Sequence, residues 1–347
     1  MAEPTSETPK TRRILSIDGG GVRGIVAAVL LDALDDARRA RGATRPLADC
    51  FDIIAGTSTG AIVAAGLAAA GENGAASRRS PAELRRIYRE RAREIFPLRF
   101  WGRLPVVGRL RQFFGPFYSP APLQNVLNQE LGDAEFQNLP RNLLICAYSI
   151  DPREAAFFRG GPDFACHAVC EEFAFMRIAD AVCGSAAAPT FFPPKRVESH
   201  VSGKGKTLID GGVFANDPAQ VALAEGLRLF PDDDFEVVSI GTGRIVTPYP
   251  LRAARGWGFW EWVSPVGRFR TPLLSVMADG QARAVHAQLE KLLGGAYHRF
   301  DYDLESGYGS LALDDASPAN MRRLEEGALK MVDAMRDDLD RVAAIIG

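Results

Sequence analysis

Histidine is scarce in this sequence: four occur among 347 residues, at positions 167, 200, 286 and 298. Any chemistry that needs an imidazole must draw on one of these four. Cysteine is also sparse, with five residues scattered at 50, 146, 166, 170 and 183. An odd, unpatterned set fits reduced thiols of a cytoplasmic protein rather than a disulfide framework. Cys166, His167 and Cys170 lie close together, but no second pair stands at matching spacing, so no metal site is expected. The formal net charge is −2, and the lack of a basic excess speaks against a nucleic-acid partner.

A hydrophobic leader is missing too. Met1 to Arg12 is polar and rich in Thr, Pro and Glu, which reads as a frayed tail (1–12) rather than a signal peptide. Ile53 to Gly71 carries no charge over 19 residues, nominally enough to cross a bilayer. Its later part is mostly Ala and Gly, so a buried strand and helix are expected there, and no transmembrane helix. Residues 13–347 then read as a single domain, with 47% hydrophobic and 24% charged residues overall.

What the chain does have is glycine in three telling places. Gly56-Thr57-Ser58-Thr59-Gly60 follows the apolar run Phe51 to Ala55. Strand, sharp turn and helix in that order describe a nucleophile elbow, with the serine hydroxyl exposed above a sheet edge. Gly19-Gly20-Gly21-Val22-Arg23-Gly24 follows the β-like run Arg13 to Leu15. It opens a helix marked by Ile25, Val26, Val29, Leu30, Ala33, Leu34 and Ala37. Successive glycines at a helix start leave backbone amides bare, and such amides hold a phosphate or an oxyanion. Asp210-Gly211-Gly212 ends a third β-like run with a carboxylate.

Elsewhere strands and helices alternate. Ser80-Pro81-Ala82-Glu83 predicts a capped helix start. Strands are expected over Leu143–Ile150 and Glu236–Ile240, and helices over Phe173–Gly184, Asp217–Phe230 and Met277–Leu293. From Ser317 onward one apolar stripe through Leu324, Ala328, Met331, Met335, Leu339 and Val342 predicts a closing helix. The alternation points to an α/β fold with a mainly parallel sheet and helices on both faces. The three glycine motifs would then meet at the carboxyl ends of the strands.

With these motifs together, and with Ser185-Ala-Ala-Ala-Pro-Thr-Phe-Phe-Pro-Pro194 between them, the chain resembles the patatin-like phospholipase family over about residues 12–243. The resemblance implies a three-layer α/β/α fold and a Ser–Asp dyad, with Ser58 as nucleophile and Asp210 as base. It implies an oxyanion hole from Gly19, Gly20 and Gly21, supported by Arg23, Gly24, Gly56, Gly60, Gly211 and Gly212. It also implies ester hydrolysis of phospholipid or lysophospholipid through an acyl-enzyme, without metal or organic cofactor. Arg23 would orient the glycine loop or attract a lipid phosphate. Acyl transfer, or a phospholipase gated by an activator, are the alternatives within this chemistry.

Two other readings compete. Ser58, Asp210 and then His286 or His298 would follow the chain order of an α/β-hydrolase triad. His286 falls in a helical stretch and His298 in a β-like one, neither in a glycine-rich loop, so the dyad is expected. Residues 19–24 also satisfy the G-x-G-x-x-G dinucleotide fingerprint. That motif requires an acidic residue at the end of a second strand, whereas Asp35 and Asp36 fall on the first helix. A nucleotide-binding protein is the alternative of another class.

Segments 97–117 and 251–270 hold all four tryptophans, interleaved with arginine. Arginine with aromatics suits a membrane surface, packing over the core, or an oligomer interface. A lid or membrane-facing element is expected, on a protein peripheral at membranes.

Overall fold

A computed structural model describes residues 8–69, 79–97, 115–166, 173–199, 202–245, 248–264, 271–304, 308 and 312–347. In chain order, strand β1 (Thr11–Ile17) leads through a tight turn to helix α1 (Gly24–Ala40). Strand β2 (Ile53–Thr57) is followed by α2 (Thr59–Ala68), α3 (Pro81–Ile95) and α4 (Ala121–Leu131). Then come β3 (Asn142–Ser149), β4 (Glu154–Gly160), the short α5 (Pro162–Cys166) and α6 (Ile178–Ser185). Strands β5 (Lys195–Glu198) and β6 (Gly205–Asp210) precede α7 (Ala219–Leu229) and β7 (Asp234–Ile240). The remainder is β8 (Arg244–Ile245), α8 (Leu251–Ala254), α9 (Phe259–Val263), α10 (Pro272–Leu293), β9 (Tyr297–Phe300), β10 (Asp303–Leu304), α11 (Pro318–Ala334) and α12 (Arg336–Ile346).

Eight strands form one sheet in the order β5-β6-β3-β2-β1-β7-β9, with β4 also on β3. From β3 to β9 the neighbours run parallel. β4 and β6 run antiparallel to β3, and β5 antiparallel to β6. Both faces are covered, as parallel sheets require. Ile14, Ile53 and Val237 belong to a smaller core with α7 and α10. Their neighbours Leu15, Ile54 and Val238 face a larger core that includes α1, α2, α11 and α12. The two-residue period of each strand thus divides the apolar side chains between two helical layers. The three-layer α/β/α architecture is the one expected.

Local details follow their chemistry. Ser80 accepts the Glu83 amide at 3.3 Å while Glu83 accepts the Ser80 amide at 2.8 Å, closing the capping box of α3. β1 starts at Thr11, so Thr11 and Arg12 of the expected 1–12 tail belong to the sheet, and residues 1–7 lie outside the described residues. The helix expected from Phe173 begins only at Ile178. The preceding backbone is drawn into pairing, where Met176 and Ala174 accept amides from Phe136 and Gln137. The helix expected from Asp217 begins at Ala219, whose amide the Asp217 carboxylate accepts at 2.9 Å. A turn at Met335 divides the closing helix in two, and the apolar stripe continues across both halves. Among the described residues no helix is long and apolar enough to cross a membrane.

Candidate active site

β2 ends at Thr57, and Ser58 turns the chain at φ 55° and ψ −120°. Positive φ on a non-glycine residue is strained and persists only where surroundings impose it. Here α2 starts at once on the far side and rests on β1. A Cβ on Gly60 would stand 2.1 Å from the Ile17 carbonyl oxygen, so only glycine allows this approach. The Ser58 amide donates to Ser185 Oγ at 2.8 Å, and that hydroxyl donates to the Cys146 carbonyl at 2.6 Å. Ser185 therefore ties the elbow to β3.

Asp210 arrives from a strand of opposite direction. β4 occupies one edge of β3 over 143–149, so β2 and β6 share the other. Thr57 pairs with Cys146, and Asp210 with the next residue, Ala147. The carboxyl ends of β2 and β6 therefore abut along one strand. Ser58 Oγ donates to Asp210 Oδ2 at 2.6 Å, while Oδ1 accepts the Gly212 amide at 2.7 Å. Both side chains are buried. Burial pushes the Asp210 carboxyl up to about 6, against the two hydrogen bonds that favour its charged form.

The glycine loop stands across from this pair. Gly19 donates its amide to the Asn216 carbonyl at 3.0 Å, which removes it from the expected set of oxyanion donors. The Gly20 and Gly21 amides make no hydrogen bond among the described residues, and both residues line a cavity of about 260 Å³ with Ser58 and Asp210. Gly21 has φ +59°, and a Cβ there would meet the Leu313 carbonyl oxygen at 2.2 Å. Arg23 donates to the Gly243 carbonyl at 3.0 Å and to the Gly20 carbonyl at 3.4 Å, bracing the loop. An amide pair facing a buried hydroxyl and a carboxylate is suited to a reaction that develops negative charge on oxygen.

One residue outside every sequence motif holds these pieces together. Arg299, on β9, takes both oxygens of Asp18 at 2.5 and 2.9 Å. It also reaches Asp217 at 3.1 Å, Asp301 at 2.9 Å and Ser239 Oγ at 2.7 Å. Asp18 immediately precedes the glycine loop, and Asp217 follows the loop that leads from Asp210. Three carboxylates around it keep the guanidinium protonated despite its burial.

The two candidate histidines stand elsewhere. His298 Nε2 lies 3.0 Å from Glu236 Oε1, three strands from β2. His286 packs its ring on Tyr297 at 5.7 Å. Neither lines the cavity that holds Ser58, so the structure brings no imidazole to the serine from the two candidates. Asp35, the candidate ribose acceptor, is taken by Arg38 and Arg39 at 2.8 Å each on α1. His167 and Cys170 lie outside the described residues.

The lining of the cavity falls into two arms by chemistry. One, on α2, α3, α4 and the 186–192 loop, is mainly apolar, with Ile62, Leu84, Ile95, Leu127 and Phe192 in its wall, and its charged members Arg79 and Arg91 both pair with Glu130, at 3.2 and 2.6 Å. The other carries Arg23, Arg244, Tyr249, Asp279 and Arg283. Most of segment 97–117 lies outside the described residues; its end packs Phe117 on Phe191 at 6.3 Å. Of segment 251–270, residues 251–264 are described. Trp257 and Trp262 meet edge to face at 5.0 Å, while Leu251 and Phe259 are 79% and 80% exposed.

Patatin-like protein 1 of Arabidopsis thaliana is 31% identical, over 92% of this chain and 81% of its own. Patatin-like protein 2 of Oryza sativa subsp. indica is 30% identical, over 92% and 83%. Among solved structures, human GIVD cytosolic phospholipase A2 aligns at 12% identity with a TM-score of 0.44, over 97% of this chain and 61% of that one. The family model for patatin-like phospholipases matches residues 15–223. The chain belongs to the patatin-like phospholipase family.

Proposed function

We propose that the protein is a lipid acyl hydrolase of phospholipase A or lysophospholipase type. The observation that carries this reading is the direct 2.6 Å hydrogen bond from Ser58 Oγ to Asp210 Oδ2, facing the free amides of Gly20 and Gly21. Ser58 Oγ attacks the ester carbonyl carbon and its proton passes to Asp210. The carbonyl oxygen takes up negative charge against the two amides. The ester C–O bond breaks, and the leaving alcohol takes the proton from Asp210. Water then attacks the acyl-enzyme, gives a proton to Asp210, and the carboxylic acid departs as Ser58 recovers that proton.

The apolar arm suits the acyl chain. The exposed Leu251 and Phe259 stand on the segment that follows Tyr249, which lines the cavity; this supports docking of that side on a lipid surface.

Release of fatty acid from phospholipid vesicles and from a soluble p-nitrophenyl ester tests the reading. Both activities should vanish in Ser58→Ala and in Asp210→Asn. A wild type no faster than Ser58→Ala on either substrate would overturn it. Leu251→Ser with Phe259→Ser should lower vesicle binding, measured by co-sedimentation; undiminished binding would remove the docking role.

A further inference from the structure

Four charged side chains converge on the polar arm without being used by the dyad. Arg283 and Asp279 make no hydrogen bond or ion pair among the described residues, although they stand four apart on α10. That spacing puts them on one helix face, where such pairs ordinarily meet. Both instead line the cavity. Arg244 spends one nitrogen on Asp303 at 2.7 Å, and its Nε is buried without a partner. Arg23 uses Nε and Nη1 on carbonyls, which leaves Nη2 unbonded. The helix that carries the pair is anchored over the site. Gln281 accepts the Asp217 amide at 2.9 Å and donates to the Asp217 carbonyl at 3.2 Å. The charges sense one another: partial burial raises the Asp279 carboxyl, while Arg23, Arg283 and Arg244 pull it back down.

Unpaired charges beside a cavity are costly once a ligand excludes water from them. A ligand that belongs there must therefore supply the opposite charges. Guanidinium edges match a phosphate oxygen pair in geometry as well as charge. A single carboxylate among them would repel a wholly anionic group but would accept hydrogen bonds from an ammonium. A neutral glyceride would leave Arg283 and Asp279 unpaired.

Building on the hydrolase reading, we propose that Arg244, Arg283 and Asp279 form, with Arg23, a head-group subsite for a phosphodiester bearing a primary ammonium group. The phosphate lies among the arginines and the ammonium on Asp279. The leaving alcohol of the reaction is then the glycerophospho-ammonium part of the lipid, and the acyl chain occupies the opposite arm.

The test compares kcat/KM for decanoyl lysophosphatidylethanolamine, decanoyl lysophosphatidylglycerol and monodecanoylglycerol, presented below their aggregation concentrations. The order should be ethanolamine, glycerol phosphodiester, glyceride, with steps of about tenfold, the worth of one charged hydrogen bond. Arg283→Gln and Arg244→Gln should each shrink the ratio of either phospholipid to the glyceride. Asp279→Asn should bring the two phospholipids together. Arg283→Lys, which keeps charge without the fork, should fall between Arg283→Gln and wild type. An active enzyme whose ratios lie near one, or whose ratios do not move in these variants, overturns the subsite alone. A wild type as inert as Ser58→Ala on all three lipids and on a soluble ester overturns the hydrolase reading and the subsite with it.

Discussion

The Ser185 hydroxyl bridges the Ser58 amide and the Cys146 carbonyl, accepting at 2.8 Å and donating at 2.6 Å. It stands where a direct ladder bond between β2 and β3 would otherwise close, and so holds the strained turn open. Ser185→Ala leaves a buried amide and a buried carbonyl unsatisfied. A loss of about 1–3 kcal/mol in stability is expected, with a fall in kcat larger than any change in KM. Denaturant melts and steady-state kinetics on a soluble ester check this.

The proposed base must be ionised to accept a proton. With its carboxyl pushed up to about 6, kcat/KM should climb as pH rises through that value and level off above it. Below it, the slope should approach roughly tenfold per pH unit. A profile that turns instead near the ordinary carboxylate value would show that Asp210 is not desolvated in solution.

The same burial has a stability consequence of opposite sign. Between the unfolded value of 3.8 and about 6 the native state holds a proton on Asp210 that the unfolded chain has lost. Stability from this group therefore falls as pH rises through that window. Asp210→Asn should raise the free energy of unfolding at pH 8 by an amount on the order of 2–3 kcal/mol, seen as a higher melting temperature. The gain should shrink toward pH 4. Activity should be lost at every pH.

Arg299 is the buried cation among Asp18, Asp217 and Asp301. Arg299→Met strands carboxylates in the interior and should cost about 3–5 kcal/mol. Arg299→Lys keeps the charge but loses the two-pronged grip on Asp18. It should fold, with a kcat deficit that exceeds its KM change because the glycine loop is released. Melting curves and the split between kcat and KM distinguish these outcomes.

His286→Ala combined with His298→Ala should leave ester hydrolysis near the wild-type rate. A rate reduced to that of Ser58→Ala would place an imidazole in the reaction.

The features legible in the sequence are those made by neighbours along the chain. Gly56 stands two residues before Ser58 because a side chain there would meet the Gly60 carbonyl oxygen across the turn. Asp210 precedes two glycines because the strand must end and turn. The period of α1 and the capping box of α3 are equally local. Ser185 opens the 185–194 motif, yet its role depends on Cys146 and Ser58, 39 and 127 residues away. Arg299 was invisible because Asp18 is 281 residues distant, and a lone arginine in a β-like run has no pattern. The run that becomes β6 reads as β-like, but its antiparallel direction, like that of β4 and β5, is set by pairing with distant strands, which no periodicity reports. The Gly19 amide read as a free donor, since only the fold shows that Asn216 takes it.

β3 acts as a ruler for the dyad. Serine and aspartate are placed by consecutive rungs on one edge of the same strand, not by the loops that carry them onward. Insertions in the surface segments can therefore reshape what enters the cavity without changing the spacing of the reacting atoms. The converse also holds. Peeling β6 from β3 removes the base from the nucleophile in the same motion, so the site cannot open at that seam and stay armed.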